Sequence, residues 1–218
     1  MCNNWLDFPI SVQQGATGGL IENTVIICGG SVSLSDSFDE CYSLTSEKAV
    51  LVTHMSDGRS DAASIVFNDN TLWVTGGYNN NHGGNLASTE YVTLTGTMFG
   101  PDLPMTLRSH AMVAINSTCS MVIGGHTDGQ YGVNIHYTYI HTSTLFYDRN
   151  EGEWITGPSL MQARAYHAVG IVTDEVTDES FVAVTGGFYT GYLYLDSTEI
   201  LQDGEWVEGN NMLSSGHF

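Results

Sequence analysis

Short apolar runs, each closed by a pair of glycines, punctuate this chain. They are Val25-Ile26-Ile27-Cys28-Gly29-Gly30, Leu72-Trp73-Val74-Thr75-Gly76-Gly77, Met121-Val122-Ile123-Gly124-Gly125 and Val182-Ala183-Val184-Thr185-Gly186-Gly187. The first glycines stand 47, 48 and 62 residues apart. The runs are rich in β-branched and aromatic residues and bounded by Gly, Asn, Asp and Ser, so they predict strands. No segment sustains an apolar period of 3.6 with capping residues, so no helix is expected.

Two further signatures keep step with the glycines. A polar loop after each pair leads to Asp39-Glu40-Cys41-Tyr42, Ser88-Thr89-Glu90-Tyr91, Ser143-Thr144-Leu145-Phe146-Tyr147 or Ser197-Thr198-Glu199-Ile200. A large aromatic follows in three units: Phe99, Trp154 and Trp206. Gly100-Pro101 then leads to Arg108-Ser109-His110, and Gly157-Pro158 to Arg164-Ala165-Tyr166-His167. Each unit therefore reads as four short strands: an inner one, a buried one ending at Gly-Gly, a third, and an outer one. The units span residues 10–56, 57–105, 106–161 and 162–213. Residues 1–9 read as the outer strand of a preceding unit and 214–218 as the start of a fifth. The wide third spacing reflects an enlarged hairpin tip at Thr173–Ser180 and a longer loop from Gly132 to Thr142.

A four-stranded unit of this size cannot bury both faces alone, and stacking such units around an axis solves the problem. The pairs Gly29-Gly30, Gly76-Gly77, Gly124-Gly125 and Gly186-Gly187 are expected to turn the backbone where neighbouring units crowd. Trp154 and Trp206 are expected to cap the gaps between units. The combination of apolar run, Gly-Gly, Glu-Tyr, spaced Trp and Arg-x-x-His resembles the kelch repeat over nearly the whole chain. That resemblance implies an all-β, kelch-type β-propeller with about four complete blades and partial blades at both ends. It also implies a protein-interaction module of the substrate-adaptor kind. Kelch propellers usually have five to seven blades, so the expectation is an incomplete one, open to self-association through its blade edges.

Composition narrows the partners. The 218 residues carry 24 acidic and 5 basic side chains, a net charge of -19, yet 11% are aromatic, which separates the chain from a disordered acidic tail. Nucleic acid and anionic membranes are disfavoured, because both are held by a basic face. No secretory signal and no apolar stretch long enough to span a bilayer is visible, and a cytoplasmic protein is expected. Cys2, Cys28, Cys41 and Cys119 lack metal-binding spacing. They are expected as buried or free thiols, although Cys28 and Cys41 fall where neighbouring strands would bring them together. The sequon Asn116-Ser117-Thr118 matters only in a secreted chain.

The candidate chemistry lies in loops at one rim. Loops entering the inner strands carry Arg59, Arg108 and Arg164. Loops leaving the paired glycines carry Tyr78, Asn79, Asn80, His126, Asp128 and Tyr189. By the resemblance, such residues contact acidic peptides, and a guanidinium fork suits a carboxylate. The competing reading makes these arginines structural, paired to acidic or carbonyl groups of a neighbouring blade. His110, His167 and His217 recur at inner-strand starts and read as packing residues. Asp174-Glu175 with Asp178-Glu179 reads as a solvated acidic tip rather than a calcium loop. No motif of an enzyme is present. The expectation is a non-enzymatic module that binds another protein or peptide, without cofactor or metal. The alternatives are a kelch-type propeller enzyme (a copper-radical oxidase or a sugar epimerase) and a cytoskeletal, actin-binding kelch protein.

Overall fold

A computed structural model describes residues 14–33, 36–45, 48–67, 70–131, 135–190 and 193–216, and of residues 130, 131 and 135–137 the backbone alone. The outer strand expected at 1–9 and His217 lie outside the described residues. The described residues fall into two compact units, Met1–Arg108 and Ser109–Phe218.

The first unit holds two four-stranded antiparallel meanders. One is β1 (Thr17–Ile21), β2 (Thr24–Cys28), β3 (Glu40–Leu44) and β4 (Ala49–His54), hydrogen-bonded in that order. The other is β5 (Ala63–Val66), β6 (Leu72–Thr75), β9 (Thr89–Thr93) and β10 (Gly96–Phe99); between β6 and β9 runs a small ribbon of β7 (Tyr78–Asn79) and β8 (Gly84–Asn85). The tight β1–β2 connection places Glu22 and Asn23 at φ 47° and 66°. Positive φ at both central residues matches the right-handed twist of a hairpin, and asparagine tolerates it. Ile21, Ile26, Cys28, Cys41, Met55, Leu72, Val74 and Val92 form the core that joins the two sheets.

The second unit repeats the plan. Its first sheet is β11 (Ala111–Ala114), β12 (Cys119–Ile123), β15 (Thr144–Asp148) and β16 (Glu153–Thr156), with a ribbon of β13 (His126–Tyr131) and β14 (Ile135–Ile140). Its second is β17 (Ala168–Thr173), β18 (Ser180–Thr185), β21 (Thr198–Gln202) and β22 (Glu205–Glu208), with a ribbon of β19 (Phe188–Tyr189) and β20 (Leu193–Tyr194). Val113, Met121, Ile123, Leu160, Val182, Val184 and Trp206 form its core. Of the loop expected from Gly132 to Thr142, Ile135–Ile140 is strand β14, paired with β13. Thr173–Ser180 is a hairpin tip as expected; the Asp174 carboxylate accepts from the Val176 and Thr177 amides at 2.8 and 2.9 Å, so the tip is organised by its own aspartate. The fold is thus all-β among the described residues, and no helix there is long and apolar enough to cross a membrane.

Three details differ from expectation. Cys28 and Cys41 face each other across β2 and β3 and form a disulfide, so they are not thiols. The pairing also shows that Cys41 matches Thr89 rather than Glu90 in the repeat, because the Gly29 amide bonds Glu40 as the Gly76 amide bonds Ser88. Phe99, read as the aromatic that matches Trp154 and Trp206, does not take their place, and it is 68% exposed. Counting back from Gly100, Gly157 and Gly209, whose amides bond matching threonines, the place of Trp154 and Trp206 is taken by Thr97. The Thr97 hydroxyl reaches His54 O at 3.1 Å, much as Trp206 Nε1 reaches Pro158 O at 3.0 Å. Trp206 therefore ties two sheets together, while Trp154 is half-buried against Tyr147, ring centroids 4.9 Å apart.

Candidate functional site

The paired glycines set the geometry. Gly77 and Gly187 lie at φ 101° and 98°, where a Cβ would come within 2.7 Å of the Ser60 and Ala165 carbonyls. Only glycine accepts both the conformation and the close approach. The second glycine of each pair donates its amide to a carbonyl further along the chain: Gly30 to Arg59 O, Gly77 to Leu107 O, Gly125 to Arg164 O, Gly187 to Gly216 O, all at 2.8 Å. The loops leaving the glycines therefore meet those leading to inner strands at one end of each sheet. Ser60 pairs with Tyr78, and Ala165 with Phe188.

Arg59 and Arg164 do not offer their guanidinium groups to a partner. Arg59 Nη1 donates to Gly76 O and Ser88 O at 2.9 and 2.8 Å, and Nη2 to Glu90 Oε1 at 2.7 Å. Arg164 repeats the set on Gly186 O, Ser197 O and Glu199 Oε1 at 2.8, 3.1 and 2.6 Å. Each carboxylate is completed by two backbone amides, Ser56 and Asp57 for Glu90, Met161 and Gln162 for Glu199. Both arginines are fully buried. The expectation that they face a rim is corrected, because a buried charge persists only when paired and hydrogen-bonded. The structural reading is corrected in one respect too. Each guanidinium bonds the sheet its own loop enters, while its backbone bonds the preceding sheet, Arg59 N to Phe38 O and Arg164 N to His141 O. Each arginine is a strut between consecutive sheets within its unit.

The remaining candidates divide between the units. In the first, the Arg108 guanidinium lies 4.5 Å from the centroid of the Tyr78 ring, with Nη1 3.7 Å from Asp61 Oδ2. The Tyr78 hydroxyl donates to Asn80 Oδ1 at 3.2 Å, and Asn80 is exposed. Asn79 is buried: Nδ2 donates to Gly58 O at 2.6 Å and Oδ1 accepts from the Asn81 amide, so it shapes the loop instead of reading a partner. The expected contact role of Asn79 is thereby corrected. His82, absent from the candidates, joins this loop cluster with Nδ1 2.8 Å from Asp57 Oδ1.

In the second unit His126 is also buried, correcting its place as an exposed contact. Its ring lies 5.6 Å from that of Tyr166, and Nε2 lies 3.9 Å from Asp128 Oδ1. Asp128 is half-buried and accepts from the Thr138 hydroxyl at 2.8 Å. His110 and His167 are buried packing residues, and burial pushes both down to about 3, neighbouring histidine and, for His167, Arg164 adding to the effect. They are neutral at ordinary pH. His141, also lowered by burial, shares a 2.9 Å hydrogen bond with the Thr127 hydroxyl. Tyr189 is half-buried and lines a cleft of about 520 Å³ with Thr142, Gln162, Ser197, Glu199 and Glu208. Among the described residues no three His, Cys, Asp or Glu side chains gather as a metal site.

Sequence reasoning passed over the two glutamates, although a signal was present. Arg59 occurs with Glu90 and Arg164 with Glu199, whereas the third repeat has Leu107 and Leu145 at the same two positions. Charge appears in both positions together or in neither.

Comparison with solved structures shows a shared fold with the structure of YjhT: TM-score 0.76 at 14% sequence identity, over 96% of this chain and 74% of that one. No family model matches the sequence, and no curated protein matches it. At that identity the likeness concerns the fold alone.

Proposed function

We propose that the chain is a kelch-type β-propeller region, built of about four blades, that acts as a non-enzymatic module for binding another protein. The observation that carries this reading is the cluster beside the second sheet, where Arg108 lies over Tyr78 next to Asp61 and exposed Asn80. Rigid antiparallel sheets hold it, and binding residues are commonly carried on loops positioned by such scaffolds. The repeated glycine, arginine and glutamate positions serve the framework; the loop residues differ from sheet to sheet and are free to specify a partner.

An acidic peptide loses its main support. Of three arginines expected to grip it, two are consumed inside the protein and the third is held by Asp61 and Tyr78. The test is capture of partners from the protein's own source by the tagged full chain, compared with Tyr78→Ala/Asn80→Ala. The module reading expects at least one partner whose recovery falls about tenfold, the loss of a contact worth about 1.4 kcal/mol. Unchanged recovery of every partner, with thermal unfolding also unchanged, overturns the assignment of this cluster.

A further inference from the structure

The cleft lined by Tyr189 has a charge feature that no other repeat shares. Glu199 and Glu208 stand directly opposite each other on β21 and β22. Like charges so placed repel. Arg164 and two backbone amides answer Glu199. Glu208 is exposed and adds a second carboxylate to the same cleft. At its position the second sheet has Phe99 opposite Glu90, and the third has Thr156 opposite Leu145. The Arg59–Glu90 strut forms without any such neighbour, so Glu208 is not needed by the framework. The rest of the lining is uncharged: Thr142, Gln162, Tyr189, Ser197 and Thr198 are polar, and Met161 and Ala163 apolar. The Ser197 hydroxyl is oriented, accepting from Arg164 Nη2 at 3.1 Å and donating to Gln162 Oε1 at 3.2 Å.

We infer that this cleft receives a cationic side chain, the ammonium of a lysine or the guanidinium of an arginine, from a basic segment of the partner. The inference rests on the interaction-module reading and supplies the partner's chemistry. One carboxylate left over beside neutral acceptors suits a single positive charge with several N–H donors. An aromatic ring in the lining adds attraction for a cation. A volume near 520 Å³ falls in the usual range of ligand clefts, about 300–1,000 Å³. A bare calcium or magnesium ion is the poorer fit, because these ions take six or more oxygen ligands. The net charge of -19 draws basic partners toward the whole molecule.

The test is a titration of the isotope-labelled full chain with N-acetyl-arginine methylamide and N-acetyl-lysine methylamide, followed by amide chemical shifts. The glutamate analogue serves as the control. The expected result is saturable shifts at Gln162, Tyr189 and Ser197, weakened about fivefold by Glu208→Gln, the upper end for an exposed charge contact. Glu205→Gln, on the same strand but away from the cleft, leaves the titration unchanged, and both variants keep the wild-type thermal midpoint. Recovery of the captured partner falls in Glu208→Gln as well. Equal binding of the glutamate analogue, or a titration indifferent to Glu208→Gln, overturns the inference. So does cation binding that depends on Glu208 while partner recovery does not. Failure of the module reading itself is read separately: the wild-type chain then captures no partner, whatever the titration shows.

Discussion

At the scale of residues, the decisive fact is that identical arginines in a repeat are identical because they do the same internal work. Arg59 and Arg164 each spend four hydrogen bonds on two carbonyls, a serine hydroxyl and a glutamate. Removing one member of such a pair leaves an uncompensated buried charge, whereas replacing both by apolar residues is often tolerated. Arg164→Leu should therefore destabilise the protein by about 3–5 kcal/mol in denaturant unfolding. Arg164→Leu/Glu199→Leu, which copies the residues found at 107 and 145, should recover most of that loss. A double variant no more stable than the single one would show that the carbonyl contacts, rather than the charge pair, dominate. The same pairing was legible in the sequence, but only by comparing units at two positions about 30 residues apart. Burial made the difference between a strut and a binding residue, and burial is not written in a repeat pattern.

At the scale of elements, alternation and turn residues specified the strands well. Runs ending at Gly-Gly are β2, β6, β12 and β18, and the Ser-Thr signatures open β9, β15 and β21. Two features escaped. The stretch expected as a loop after Gly125 pairs with itself as β13–β14, since hairpin pairing depends on long-range register that a polar composition hides. In the first sheet the Glu-Cys-Tyr motif sits one place earlier in the repeat than its sequence suggests, so Cys41 takes the place of Thr89. The ordinary β2–β3 register then sets Cys41 opposite Cys28 and closes the bridge between residues 13 apart. A bridge closing a loop of this length contributes about 3 kcal/mol. Unfolding in the presence of a reductant should lower the stability by that order, while Cys28→Ala/Cys41→Ala should show no further response to reductant. Peptide mapping that found both cysteines alkylated without prior reduction would contradict the bridge, whose persistence requires an oxidising environment.

At the scale of the whole molecule, charge governs what approaches. Of five basic side chains, Arg59 and Arg164 are buried in ion pairs and Arg108 is mostly covered. Glu90 and Glu199 are spent on those two arginines, and the other acidic residues far outnumber the remaining basic side chains. A partner recruited by this field is basic, and its association rate is sensitive to salt. Raising ionic strength from about 50 to 500 mM should slow association about tenfold or more. A rate indifferent to salt would mean that apolar contacts carry recognition.

The amino-acid sequence alone determined the periodic plan: four strand sets, their glycine turns, and an acidic surface hostile to phosphate backbones. Those follow from local rules, because alternation, φ preference and net charge are properties of neighbouring residues or of simple sums. Only the tertiary structure decided which polar residues are available. Whether Arg164 grips a partner or Glu199, whether Cys41 meets Cys28, and whether Glu208 stands beside another carboxylate all depend on register between strands far apart in the chain. Register is set by packing, where a one-residue offset exchanges the faces of a strand.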